Sequence, residues 1–461
     1  MPKNCGIATR GNPTSADAIA FMQAPTTFTI DPGGCLSGAI TVPGDKSMSH
    51  RSVIFASIAE GDSELRGFLE GEDTLATAAA FRAMGVSIDG PRDGRLAVTG
   101  VGLRGLHAPS GSLDLGNSGT AMRLLPGVLA GQNFDVTLRG DASLTGRPMA
   151  RIITPLTAMG ARIEAGEGAT PPLAIHGRRE RLSAIDYHMP VASAQVKSCL
   201  LLAGLYADGV TRIHEPAPSR DHTERMLAAF GHAVQRQGNT VSIEGAGGLR
   251  STSVEIPGDI SSAAFFLVGA SIAPGSDLRV KGVGMNPTRV GVVQVLRAMG
   301  ARIDVDNERI AGGEPLADLR VRAAPLHGID IPPSVVPLAI DEFPALLVAA
   351  ACARGDTVLS GARELRVKES DRIAAMAEGL SLLGIDAEPL DDGMRIRGGA
   401  LGGGRIASRG DHRIAMAFSM AGLRATEPVV VENCANVATS FPGFPDLARD
   451  TGLAISVATG R

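Results

Sequence analysis

At 461 residues the chain is long enough for two or three domains around a large buried core. It has 44% apolar residues and 58 glycines but no tryptophan and only two tyrosines, so it lacks the aromatic platforms on which single-stranded nucleic acid stacks. A formal charge of -4 gives no overall pull toward DNA or an anionic membrane surface.

Residues 1–27 are low in charge and rich in Thr, Ala and Pro, and their apolar patch at 18–22 is too short for a secretory signal. A loosely ordered leader over residues 1–29 is expected. Residues 28–42 alternate like strands but belong to no helical unit of their own. The five cysteines, Cys5, Cys35, Cys199, Cys352 and Cys434, form no CxxC pair, which fits reduced thiols in the cytoplasm. No apolar run approaches the roughly 20 residues of a membrane span.

Pro43-Gly44-Asp45-Lys46-Ser47-Met48-Ser49-His50-Arg51 then sets a turn, a lysine, hydroxyls and an arginine at the start of a mostly apolar helix ending near Gly61. A helix start leaves N–H groups unpaired and carries about half a positive charge, so Lys46 and Arg51 there make a strong phosphate or carboxylate site. Taken singly, the stretch reads more readily as an ordinary capped helix with solvated charges.

It is one of six. Gly85, Gly160, Gly231, Gly300, Gly384 and Gly452 recur at roughly 70-residue intervals, each closing a helical pattern and opening an alternating one. Upstream of each lies a more apolar helix, opening at Asp45-Lys46-Ser47, Gly116-Asn117-Ser118-Gly119-Thr120, Ala192-Ser193-Ala194-Gln195, Gly258-Asp259-Ile260, Ile340-Asp341-Glu342 or Gly410-Asp411-His412-Arg413. Helices that apolar are buried on most sides. One unit therefore reads helix, strand, surface helix, strand, turn, strand, and six units predict twelve helices in an α/β fold. The last unit lacks a strand, which residues 28–42 are expected to supply. This predicts a continuous domain at 44–257 and a discontinuous one at 30–43 plus 258–461, each of three units, with a ligand cleft between them.

Two motifs carry nothing. Gly100-Val101-Gly102-Leu103-Arg104-Gly105 matches GxGxxG but precedes no helix, and Asp45-Lys46-Ser47 lacks the glycines of a P-loop. The nine histidines show no HxxxH spacing or cysteine partners, so no metal site is expected.

If the buried helices aim their starts at one cleft, Lys46, Ser47, Arg51, Gly119, Arg123, Ser193, Ala194, Gln195, Asp341, Glu342 and Arg413 converge, beside basic turns holding Arg147, Arg220, Lys368, Glu369 and Arg372. Many cations with few carboxylates point to a pair of small phosphorylated or carboxylated ligands. Singly, Arg147 and Arg220 read equally well as solvated charges, and Asp341 and Glu369 more readily as caps.

At these residues the chain closely resembles the 5-enolpyruvylshikimate-3-phosphate synthase family, over roughly residues 30–450. The words that carry it are "PGDKSMSHR", "LGNSGTAMR", "GDASLTGRPM", "ASAQVKS", "RVKESDR" and "GDHRIAM". The resemblance implies two domains of three repeated units, the inside-out α/β barrel of enolpyruvyl transferases. It also implies transfer of the enolpyruvyl group of phosphoenolpyruvate to the 5-hydroxyl of shikimate 3-phosphate, with no cofactor and no metal. Lys46, Ser47, Arg51, Ser193, Ala194, Gln195, Arg220, Asp341 and Lys368 match the shikimate 3-phosphate site, and Lys46, Gly119, Arg147, Gln195, Arg372 and Arg413 the phosphoenolpyruvate site. Asp341 is the implied base, and Glu369 with Lys46 the implied proton source. The partners implied are these two metabolites, with neither nucleic acid nor membrane, and a monomeric state is expected. Three positions depart from the family's words: Thr439 stands where many members have lysine, Glu364 near where some have asparagine, and Gly119 sits in wording otherwise like the herbicide-tolerant subclass. The related UDP-N-acetylglucosamine enolpyruvyl transferases carry a reactive cysteine loop that Asp141-Ala142-Ser143-Leu144-Thr145-Gly146 does not match. A non-catalytic binder of phosphorylated metabolites is the unlike alternative, and it has no use for Asp341 and Glu369 amid anions.

Overall fold

The computed structural model describes residues 26–245 and 247–460. Six units follow one another. The first holds α1 (Lys46–Ile58) and α2 (Glu72–Ala83). The second holds α3 (Gly119–Leu129), the single-turn α4 (Ala142–Thr145) and α5 (Ala150–Ala158), and the third α6 (Ala194–Gly204) and α7 (His222–Ala229). In the second half come α8 (Ile260–Ile272) with α9 (Gly291–Ala298), α10 (Phe343–Ala351) with α11 (Arg372–Leu382), and α12 (His412–Ala421) with α13 (Phe444–Thr451). The expected twelve helices are therefore present, and α4 is an addition.

In each unit the apolar helix is buried and its companion lies against a sheet. All thirteen residues of α8 and all nine of α10 are buried. Each repeat glycine follows its surface helix in the left-handed region, with φ between 83° and 117°. There an L side chain costs about 1–2 kcal/mol. A Cβ on Gly384 would meet nothing within 4 Å, whereas one on Gly452 would lie 2.3 Å from the Cys35 carbonyl oxygen. Gly384→Ala is therefore expected to cost about 1–2 kcal/mol, the backbone cost alone. Gly452→Ala should lower the thermal midpoint further. Equal shifts in the two variants would contradict this account.

Five units carry the same sheet order, in which the last strand of the unit lies between the first two. In the first unit Arg95–Val101 sits antiparallel between Glu60–Arg66 and Ser87–Arg92, with Ser253–Glu255 parallel at the edge. In the sixth the middle position is taken by Thr26–Ile30, antiparallel to both Val429–Glu432 and Ile455–Thr459. Ser37–Ile40 likewise forms the edge of the fourth sheet, parallel to Asp277–Gly284. The expected leader is thus too long by four residues: the strand that buries Phe28 and Ile30 begins at Thr26, where backbone pairing with Ala458 and Thr459 extends it beyond the apolar alternation. The rest of the leader, with Cys5, lies outside the described residues.

The buried side chains form two cores. One runs from Met48 to Ile256, and the other joins Phe28 to Val42 with Ile260 to Ile455. The chain passes between them at two antiparallel crossings. Asp45 N donates to Pro257 O at 2.8 Å and Asp259 N to Pro43 O at 2.9 Å, with Gly44 opposite Gly258. Only glycine fits at 44, because a Cβ would stand 1.7 Å from the Gly67 carbonyl oxygen. Buried Arg289 joins both crossings, 3.1 Å from Asp45 Oδ2 and 3.2 Å from Asp259 Oδ1. Burial alone would raise the Asp45 carboxyl; Arg289, together with His222, the Met48 N–H and Arg220, outweighs it and leaves the group at about 2. No helix among the described residues is long and apolar enough to cross a membrane.

Candidate active site

Five of the six buried helices are capped by a side chain of the residue that opens them. Asp45 accepts from Met48 N at 2.8 Å, Ser118 from Ala121 N at 3.1 Å and Ser193 from Val196 N at 3.4 Å. Asp259 accepts from Ser261 N and Asp411 from Arg413 N, both at 2.9 Å. A cap satisfies one or two of the orphan N–H groups of a helix start and leaves the others facing outward. The starts of α1, α3, α6 and α12 bring residues to one cavity between the two halves, lined by Lys46, Asn117, Gly119, Arg147, Gln195 and Glu369 among others.

Lys46 spans the cavity. Its ammonium pairs with Asp73 Oδ2 at 2.5 Å and donates to Ser440 Oγ at 3.0 Å, across the cleft. On the α3 side, Arg147 donates to Asn117 Oδ1 at 2.8 Å and Arg123 to Gln195 Oε1 at 2.9 Å. Burial, reinforced by Arg151 and Arg147, lowers the Arg123 guanidinium to about 9. Gly119 lies under these two arginines: an added Cβ would be 3.0 Å from Arg147 Nη1 and 3.1 Å from Arg123 Nη1.

Asp341 gathers the remaining cations. Arg220 Nη2 is 2.5 Å from Asp341 Oδ2, Lys368 Nζ 3.3 Å and Arg372 Nη1 3.6 Å from Asp341 Oδ1, and Arg413 donates to the Asp341 carbonyl at 2.9 Å. Burial alone would raise this carboxyl. Lys368, Arg220, Arg413 and Arg372 outweigh that and hold it well below the usual carboxylate range. Glu369 follows the same rule: burial pushes it up, and Arg372, 2.6 Å away, leads the cations that pull it down further. Arg372 also pairs with Asp411 at 2.8 Å, yet its buried Nη1 has no hydrogen-bond partner. An unpaired buried donor beside a cavity is what a ligand oxygen satisfies.

The structure thus brings Lys46, Gly119, Arg147, Gln195 and Glu369 to one cavity, and links Arg220, Asp341, Lys368 and Arg372 to it through ion pairs and Arg413 through its hydrogen bond to the Asp341 carbonyl. Ser193 and Ala194 stand at the start of α6. Arg51 sits lower: it is buried and donates to Thr223, Ser198 and the Ser47 carbonyl, so three of its N–H groups are committed within the protein. Thr439 lines the cavity and donates to Asn436 O at 2.7 Å, and Glu364 accepts from Lys368 at 2.6 Å. Sequence reasoning missed Asp73 and Arg289. Asp73 sits in the first turn of a surface helix, where an acid is ordinary; Arg289 opens no helix, so no repeat position marked it.

The model of the EPSP synthase (3-phosphoshikimate 1-carboxyvinyltransferase) family matches residues 30–447. The chain belongs to the EPSP synthase family. Similar to it is a 3-phosphoshikimate 1-carboxyvinyltransferase of Alkalilimnicola ehrlichii, 65% identical over 430 residues that cover 93% of this chain and 96% of the relative. A solved EPSP synthase from Acinetobacter baumannii superposes with a TM-score of 0.87 at 55% identity, covering 94% of this chain and all of that one. The enolpyruvyl transferase NikO from Streptomyces tendae shares the fold, with a TM-score of 0.77 at 18% identity over 95% of this chain and all of that one. Membership in the EPSP synthase family makes the chain an enzyme, a transferase, and the two-domain enolpyruvyl transferase fold expected from its six units is the one it has.

Proposed function

We propose that this cleft holds shikimate 3-phosphate and phosphoenolpyruvate side by side and moves the enolpyruvyl group of the second to the 5-hydroxyl of the first, releasing phosphate. One observation carries the reading: Asp341, part-buried, and Glu369, on the cavity lining, are two carboxylates within a shell of cations that outnumbers them. Ser193, the Ala194 backbone, Gln195, Ser47 and Arg220 take the acceptor's phosphate and hydroxyls, with Arg51 holding Ser47 and Ser198 in place. Arg147, Arg372 and Arg413 take the phosphoenolpyruvate anions beside Gly119, and Lys46 reaches both ligands. Lys368 stands between Asp341 and Glu364.

The cations do two things. They offset charges that would keep two anions apart, and they hold Asp341 ionised in the empty cleft. As ligand anions take up Arg220, Lys368, Arg372 and Arg413, their hold on Asp341 weakens and its basicity rises. It then accepts the 5-hydroxyl proton as the oxygen attacks C2 of the enol. Carbon C3 takes a proton, which we assign to Glu369 once Arg372 turns to substrate, with the Lys46 ammonium beside it. The tetrahedral adduct then expels phosphate, and the C3 proton returns to the same group as the double bond reforms. Placing two reactants together supplies much of the rate, and each positioned acid or base about 10²–10⁴-fold.

Residues 44–257 form one domain and 30–43 with 258–461 the other in this reading, supported by the two cores and the paired crossings. A monomer in the cytoplasm is part of it too. Exposed large apolar side chains are scattered, and the four described cysteines are free.

Purified protein with both substrates should release phosphate. Replacing shikimate 3-phosphate by shikimate or by UDP-N-acetylglucosamine should abolish release, and equal release with the nucleotide sugar would sink the acceptor assignment. Gly119→Ala is expected to weaken phosphoenolpyruvate roughly tenfold, the size of one weakened charge-assisted hydrogen bond. It should weaken glyphosate further, since the methyl group narrows the space beside Arg147 and Arg123. A Gly119→Ala variant that binds glyphosate as tightly as the parent would overturn this.

A further inference from the structure

Among the described residues, one cluster of metal-ligating side chains lies outside the cleft. Asp186 and His188 alternate on the strand Asp186–His188, so both side chains leave the same face. The neighbouring strand Val210–His214 runs parallel, with His214 in register with His188. The two imidazoles stack with centroids 4.1 Å apart and planes 8° apart. Asp186 Oδ1 is 2.6 Å from His214 Nε2 and 3.8 Å from His188 Nε2, and one ligand atom of each residue lies within 4.8 Å of the others.

A further contact fixes how this group faces. His214 Nδ1 is 2.9 Å from Thr240 Oγ1, on the strand paired to the other side of Val210–His214. That bond occupies one ring nitrogen and leaves Nε2 toward Asp186. A polar partner behind a histidine is the usual support of a metal ligand. A first-row divalent ion stands about 2.0–2.2 Å from nitrogen and oxygen donors, in the plane of each imidazole, so sharing one takes shifts of about an ångström and a turn of the His188 ring out of its stack with His214. His188 and Asp186 are exposed and can make them.

We propose that Asp186, His188 and His214 form a site for one divalent transition-metal ion of the Zn²⁺, Ni²⁺ and Cu²⁺ class, with water in its open positions. Two imidazoles and a carboxylate select these ions over Mg²⁺ and Ca²⁺, which prefer all-oxygen shells. The ion is not placed to take part in catalysis. It ties two strands where each leaves its sheet for the cleft, one toward Ser193 and the other toward Arg220. There the backbone already has one bond, Met189 N to His214 O at 2.9 Å. Local spacing hid the group, because His188 and His214 meet only across paired strands.

The test is calorimetric titration of the tag-free full chain with Zn²⁺, alongside His188→Ala, His214→Ala and Asp186→Asn. These side chains lie at the surface, and circular dichroism checks that the variants fold. The parent should take up one ion that each histidine variant binds at least tenfold more weakly, with no heat from Mg²⁺. The Cu²⁺ form should show two nitrogen ligands by electron paramagnetic resonance, and fewer in either histidine variant. Unchanged Zn²⁺ affinity in both histidine variants, or no uptake by the parent, would overturn the proposal.

Discussion

Asp341→Ala is expected to lower kcat by about 10²–10⁴-fold, the contribution of one positioned base, while shikimate 3-phosphate binds as well as before or more tightly. The direction of the binding change separates this account from a simple loss of structure. Asp341 occupies Arg220 at 2.5 Å and Lys368 at 3.3 Å, and lies 3.6 Å from Arg372. Its removal frees those cations for ligand anions. The same freed charges then repel one another in the empty protein, so the variant should melt earlier and recover when the ligand is added. Steady-state phosphate release with calorimetric binding measures both quantities. Turnover near the parent's would end the assignment of Asp341 as the base.

Lys46→Met should reduce kcat/KM by about 10²–10³-fold, comparable with loss of one electrostatic donor in a preorganised site. Part of that loss is indirect. Asp73 is buried and has Lys46 for its ion-pair partner, so the methionine leaves a carboxylate facing a cavity built for anions. Adding Asp73→Asn to Lys46→Met removes this repulsion. The double variant is expected to regain substrate affinity and keep the low kcat. If it regained turnover as well, Lys46 would have no part in the chemistry. If neither variant differed from the parent, its place between the two ligands would be wrong.

The sequence-to-structure relation divides by the range of the interaction. Helix starts and stops are local: the six glycines with positive φ and the Asp and Ser caps are written within a few residues of where they act. The repeat made the fold legible, and the shortened last unit pointed to the N-terminal segment. It did not give the beginning of that strand, since Thr26 and Thr27 carry no apolar alternation and are held by backbone pairing with Ala458 and Thr459. Side chains at helix starts were likewise legible as a set. Their protonation was not: Asp341 owes its low value to Lys368, Arg220, Arg413 and Arg372, all far away in the chain, and Glu369, whose leading cation is the nearby Arg372, is lowered by the distant His412 and Arg147 as well. Arg289 and the cluster of Asp186, His188 and His214 were beyond local reading for the same reason, being assembled by crossings and strand register.

The most direct measurement is a crystal structure of the protein with shikimate 3-phosphate and an unreactive phosphoenolpyruvate analogue. The account predicts the acceptor's phosphate at Ser193 and Ala194, its 5-hydroxyl within hydrogen-bond reach of Asp341, and the analogue between Lys46, Arg147 and Arg372. An acceptor hydroxyl turned away from Asp341, or ligands seated on separate surfaces, would contradict it.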